Sequence, residues 1–137
     1  MNPDDLSSPT LRKSLRKSYG QARSGFENAK SRATPTLLHD WRKKTKYLHN
    51  AIDILGQRRA SKCRALGRRA HRLGDQLGEE HDLVVLLQTL RDDSAAVPAS
   101  VRRDLTLAIS RRRYKLQKKA LRLGAKTYAW RPKKAIP

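Results

Sequence analysis

The chain is poor in the residues that commonly anchor a covalent framework or a reactive centre. Its 137 residues include one cysteine, one methionine and one phenylalanine. A lone cysteine, Cys63, excludes a disulfide within the chain and a zinc cluster of thiolates. It falls among small and apolar residues of a helical pattern and reads as an inert buried thiol. Such cysteine usage fits a reducing cytoplasm. Aromatics make up 5% of the chain, which argues against a platform for stacking unpaired bases. No apolar run reaches the ~18 residues of a membrane span. The opening MNPDDLSSPTL has neither a basic nor an apolar signal region.

Acidic residues are scarce too. Twelve Asp and Glu face 32 Lys and Arg, giving a formal net charge of +20 and a pI near 11.1. That balance favours polyanionic partners: nucleic acid, anionic lipid or polyphosphate. No Gly-rich phosphate loop, no GxSxG elbow and no nucleophile–base pairing is present. No acidic cluster for a divalent metal is visible either. The expectation is therefore a binding protein, not an enzyme, with no cofactor and no metal. Phosphate would be held by side-chain cations.

What is present is helical punctuation. Residues 1–8 read as a loose lead-in, and 131–137 as a tail behind Trp130-Arg131-Pro132. Ser8-Pro9 and Thr34-Pro35 each pair a capping residue with proline in the first turn. Helices are predicted over about 9–30, 35–55, 58–77, 80–92 and 99–128. Gly56 and Gly78 serve as stops. No segment alternates with period two over strand length. The fold class is all-α, an antiparallel bundle of four to five helices filling residues 9–130.

Helical wheels gather the cations into stripes. On the second helix Leu38, Trp41, Thr45, Leu48, Ile52 and Leu55 share one face. His39, Arg42, Lys43, Lys46 and Asn50 share nearly the opposite one. The first helix buries Leu11, Leu15, Ser18, Ala22, Phe26 and Ala29, with Arg12, Arg16, Tyr19 and Arg23 alongside. Tyr19 is expected to add a neutral hydrogen bond to an anion. On the last helix Leu105, Ile109, Leu116, Ala120 and Leu123 form the seam, with Arg112 and Lys119 beside it. Arg58, Arg59, Lys62, Arg64, Arg68, Arg69 and Arg72 scatter round the third helix and read as solvated surface. Like charges three and four apart repel by a few tenths of a kcal/mol per pair, a cost that a bound polyanion reverses. Arginine is the better residue for forked contacts to phosphate.

Four histidines are available: His39, His49, His71 and His81. His39 and His49 lie ten residues apart on one helix, about 15 Å along its axis, too far to share an ion. His81-Asp82 sits where the fourth helix is expected to start, so a capping role competes with a ligand contact.

Leu38-His39-Asp40-Trp41-Arg42-Lys43-Lys44-Thr45-Lys46 resembles the LH-x-x-RK-x-x-K signature of the CHAD domain, the conserved histidine α-helical domain. Leu77-Gly78-Glu79-Glu80-His81-Asp82-Leu83 resembles its LG-x-x-HDL signature. The stretch Leu11 to Arg23 resembles the family's opening basic helix. Leu121 to Ala125 and Arg131-Pro132-Lys133 resemble its closing helix and tail. The likeness spans residues 9–134. It implies an all-helical domain that binds inorganic polyphosphate through a basic cavity, in some members beside a triphosphate-tunnel phosphatase or on a granule. By position it carries over His39, Arg42, Lys43 and Lys46, then His81 and Asp82, then Arg12, Arg16 and Arg23. The family pairs two such bundles with the polyanion between them, and this chain resembles the second. The resemblance thus implies a facing half, supplied by a second copy or by another chain. Two other roles stay open beside this one: a sequence-independent nucleic-acid binder, and an accessory module docking on a polyphosphate-related enzyme or granule.

Overall fold

Proline opens the first two helices, where its missing N–H costs nothing. In a computed structural model, which describes residues 9–55 and 61–137, α1 runs Pro9–Ser31 and α2 runs Pro35–Leu55. The Thr34 cap forms as expected, with the Leu37 N–H donating to Thr34 Oγ1 at 3.2 Å. α3 covers Ser61–Asp92, a 3-10 turn covers Ser94–Ala96, α4 covers Ala99–Thr127 and α5 covers Pro132–Ala135. The lead-in, the Gly56 stop and the cations Arg58 and Arg59 lie outside the described residues. Among the described residues there is no strand, and the all-α fold class stands.

The expected break at Gly78 is absent. α3 passes through Gly74 and Gly78 as one rod, with no residue at positive φ. The reason is packing. Leu66, Ala70, Leu73, Leu77 and Glu80 keep helical phase across the glycines and are all buried. Glu80 then accepts from Arg113 Nε at 2.8 Å and Gln117 Nε2 at 3.2 Å on α4. Neighbours on both sides outweigh a glycine's cost of about 1 kcal/mol in a helix. His81 and Asp82 therefore lie inside a helix and cap nothing.

α2 packs on α1 and α3, and α3 packs on α4. The few aromatics are concentrated at the centre. Phe26 lies 5.4 Å from Trp41 and 5.8 Å from Tyr128, and Tyr19 lies 5.7 Å from Tyr128, ring centre to ring centre. Cys63 is buried in the same core. Tyr128 donates or accepts a 2.9 Å hydrogen bond with Thr45, and burial pushes its phenol up to about 12. The C-terminal stretch set aside as a tail belongs to this core: Ala135 and Ile136 are buried against it.

Glycine marks the closest approaches. A Cβ on Gly124 would stand 2.7 Å from the Phe26 ring and 2.9 Å from the Trp41 ring. On Gly74 its nearest neighbour is Lys46 Cγ at 3.7 Å, an ordinary contact. Gly124→Ala is therefore expected to destabilise by about 1–3 kcal/mol through overpacking. Gly74→Ala is expected to stabilise by about 0.5–1 kcal/mol through helix propensity. Urea midpoints at unchanged m-value check both signs.

Candidate functional site

The front of the α2–α3 interface is not apolar. His39 stacks on His81, ring centres 4.3 Å apart. One turn on, Arg42 lies across Gly78, its Nε 3.5 Å from where a Cβ would be. Lys46 lies across Gly74. His49 then meets His71, ring centres 4.8 Å apart. The steps along α2 are three, four and three residues, and α3 answers with the same steps in reverse. Side chains at this spacing share one helical face. The two helices thus form an antiparallel seam in which imidazoles, a guanidinium and an ammonium occupy positions where a bundle ordinarily puts leucine. Glycines on α3 leave room for the long side chains of α2.

From Arg42 and Lys46 to His49–His71 this seam floors an open groove, while the His39–His81 stack lies one turn beyond and does not line it. One stretch, about 530 Å³, is lined by Arg42, Lys46, His49, His71, Gly74 and Gly78 together with Asp75, Glu79 and Asp82. The adjoining stretch, about 750 Å³, shares His49, His71 and Asp75 and continues to Arg64, Arg68 and Arg72. These three arginines, four apart on α3, make a stripe within the scatter of cations round that helix. The groove is also not a purely cationic channel. Glu79 accepts from Arg112 Nη2 at 2.7 Å, a pair about half exposed on both sides. Asp75 lies 3.5 Å from His71 Nε2. Asp53 lines the far stretch, and Asp82 the near one.

His39 Nδ1 and Arg42 Nε are buried and have no hydrogen-bond partner among the described residues. Buried polar atoms in folded proteins are nearly always paired, so these two mark a seam that does not satisfy its own hydrogen-bonding groups. Burial lowers the pKa of His39 below the ordinary imidazole value of 6.5, and His81, Lys43 and Arg42 lower it further against the opposing pull of Asp40.

The residues expected to act together divide into two groups. His39, Arg42, Lys46 and His81 converge on the seam, Lys43 acts on His39 from an exposed position, and Arg112 reaches the groove edge through Glu79. Lys119 is exposed on α4 two turns further along and does not line the groove. The α1 group lies elsewhere. Tyr19 is fully buried, and its hydroxyl donates to the Trp130 carbonyl at 2.6 Å, so it is no anion donor. Arg16 Nε donates to the Ile136 carbonyl at 2.7 Å, and Arg23 Nε to the Tyr128 carbonyl at 3.2 Å. These arginines clamp the C-terminal segment, whose carbonyls lack helical partners. Arg12 does not line the groove either.

His49 and His71 are the functional candidates that single-helix wheels miss. A signal was available: both helices carry histidines ten residues apart, and antiparallel packing aligns the pairs. Among the described residues no group of three or more His, Cys, Asp or Glu converges as a metal would require.

A family model for the CHAD domain matches residues 2–91. The chain belongs to the CHAD family. The match takes in α1, α2 and nearly all of α3, and so both histidine pairs, Arg42, Lys46 and their glycines. The α4 cations Arg112 and Lys119 lie beyond it. CHAD domains are binding modules related to polyphosphate. Searches of curated proteins and of solved structures find no match. No described helix is long and apolar enough to cross a membrane.

Proposed function

We propose that this CHAD domain binds inorganic polyphosphate along the α2–α3 groove, without turning it over. The supporting observation is the polar seam itself: Arg42, Lys46 and His49–His71 form one line beneath an open groove, with His39–His81 one turn beyond, in a chain of net charge +20. A linear polyanion suits that line because its charges repeat at short intervals and can be met one after another. Arg42 and Lys46 carry the near stretch, and Arg64, Arg68 and Arg72 carry the far one. Forked guanidinium contacts supply the strongest hydrogen bonds to phosphate oxygens. The acidic side chains in the groove weaken binding, but Glu79 is paired with Arg112, and Asp75 lies 3.5 Å from His71 Nε2.

Competition separates this reading from general stickiness to nucleic acid. Among the described aromatics only Tyr47, Tyr114 and Trp130 are exposed, and none lines the groove. Long-chain polyphosphate is therefore expected to displace labelled duplex DNA at a much lower phosphate concentration than DNA needs to displace polyphosphate. With four or five phosphates contacted, the log–log salt slope is expected near −3 to −4. Equal displacement in both directions would establish a sequence-independent nucleic-acid binder instead.

A further inference from the structure

The positive charge is unevenly distributed. Residues 83–110 contain Arg91, Arg102 and Arg103 and also Asp92, Asp93 and Asp104, so their formal charge cancels. The whole excess of +20 lies outside this stretch. The same stretch is where α3 and α4 overhang the bundle. By the seam register the start of α2 at Pro35 is level with Val85, so α3 beyond that point runs past α2 and packs with α4 and the connection before it. The hairpin encloses a small core of its own: Leu87, Leu90 and Ile109, with Leu83 and Val97 packed against them.

Its surface is apolar for a chain so charged. Leu86 is 46% exposed, Val101 45% and Leu105 40%. Leu105 has the helical phase of a core residue, continuing the line of Ile109 and Leu116, yet it is left partly exposed. These three share one side of the hairpin. Leu86 follows Glu79 by two turns, and Leu105 precedes Arg112 by two turns. Two turns return a residue to the same face. Leu86 and Leu105 therefore lie on the side marked by the Glu79–Arg112 pair, and Val101 is one turn further along.

We infer that this strip docks on the same strip of a second copy of the chain. Charge selects the occupant. Two bodies of net charge +20 repel across any other surface, and the neutral hairpin is the place where they can approach. The mixed charges at its tip favour the same partner: in a twofold arrangement each copy can set its Asp92, Asp93 and Asp104 against the other's arginines. An acidic partner, by contrast, would be drawn to the basic remainder of the molecule. If the groove binds polyphosphate as proposed above, the pairing links two grooves and raises affinity for long chains over short ones. The self-association itself does not depend on that reading.

Sedimentation equilibrium of the full chain without any polyanion tests it, in about 0.3 M salt so that long-range repulsion is screened. The expected mass at about 100 µM chain, a concentration that detects even weak pairing, is twice the 15.6 kDa of one chain. Leu86→Glu with Leu105→Glu is expected to return the mass to one chain with unchanged helical circular dichroism. Val101→Lys, at a half-exposed position near the start of α4, gives the same readout if the double variant folds poorly. A wild-type mass of one chain overturns the inference. So does a dimer that survives these substitutions in folded protein.

Discussion

Replacing Arg42 and Lys46 together by alanine is expected to weaken binding of long-chain polyphosphate by at least about a hundredfold at fixed ionic strength, since charge-assisted hydrogen bonds contribute about 1.5–3 kcal/mol each. Both side chains lie along the groove floor over glycines, and among the described residues neither forms an ion pair with an acidic side chain. Their removal should therefore cost little stability, and unchanged thermal unfolding is the control. The salt slope should become shallower by about 2, one unit for each lost cation. Asp82→Asn supplies the opposite sign. Asp82 lines the same stretch as an exposed acid, and losing its charge should strengthen binding a few-fold. Titration of polyphosphate against the variants, followed by intrinsic fluorescence or calorimetry, reads all of this. Wild-type affinity in the double alanine variant would move the site away from the α2–α3 groove.

The same substitutions in α1 should behave differently. Arg16→Ala and Arg23→Ala remove donors to the carbonyls of Ile136 and Tyr128, so their effect belongs in stability. This contrast shows what a helical wheel can and cannot resolve. The wheel places Arg12, Arg16 and Arg23 beside the buried face of α1, and that is where they lie. It cannot say which element covers that edge. The covering element is the end of α4 and the stretch after it, more than a hundred residues away in sequence. Tyr19 fails for the same reason: its phenol has the phase of a rim residue, but Trp130 and Tyr128 close over it.

Local signals served well where they were strong. Thr34-Pro35 opens α2 as its chemistry dictates, and Leu38, Trp41, Thr45, Leu48 and Ile52 are buried as their spacing demands. Gly78 misleads because a stop signal is a local preference of about 1 kcal/mol, whereas the leucines flanking it are packed between two neighbouring helices. The pairing of His49 with His71 depends on the antiparallel register of two helices and so lies beyond any single wheel. The same is true of Leu105, which has core phase but sits beyond the reach of α2.

Acidification is expected to destabilise the free protein and to strengthen its hold on polyphosphate. His39 has a lower pKa folded than unfolded, because burial, His81, Lys43 and Arg42 all disfavour its charged form while Asp40 only partly offsets them. The unfolded chain therefore binds more protons as pH falls through 6.5, and stability declines below that point. A polyanion held over Arg42, one turn along α2 from His39, reverses the balance. It compensates the added charge, so binding takes up a proton and affinity rises as pH falls. One proton taken up gives at most tenfold per pH unit, so about tenfold between pH 7.5 and 5.5 is expected. Melting temperatures with and without polyphosphate should diverge across that range, the free protein falling as the stabilisation by ligand grows. Calorimetry in buffers of different ionisation enthalpy counts the proton directly. His39→Gln keeps a polar side chain at the stack but cannot titrate, and it should flatten the pH dependence while leaving binding at pH 7.5 close to wild type. A flat pH profile in the wild-type protein, with binding otherwise intact, would show that the anion is held by Arg42, Lys46 and the α3 arginines without help from the imidazoles.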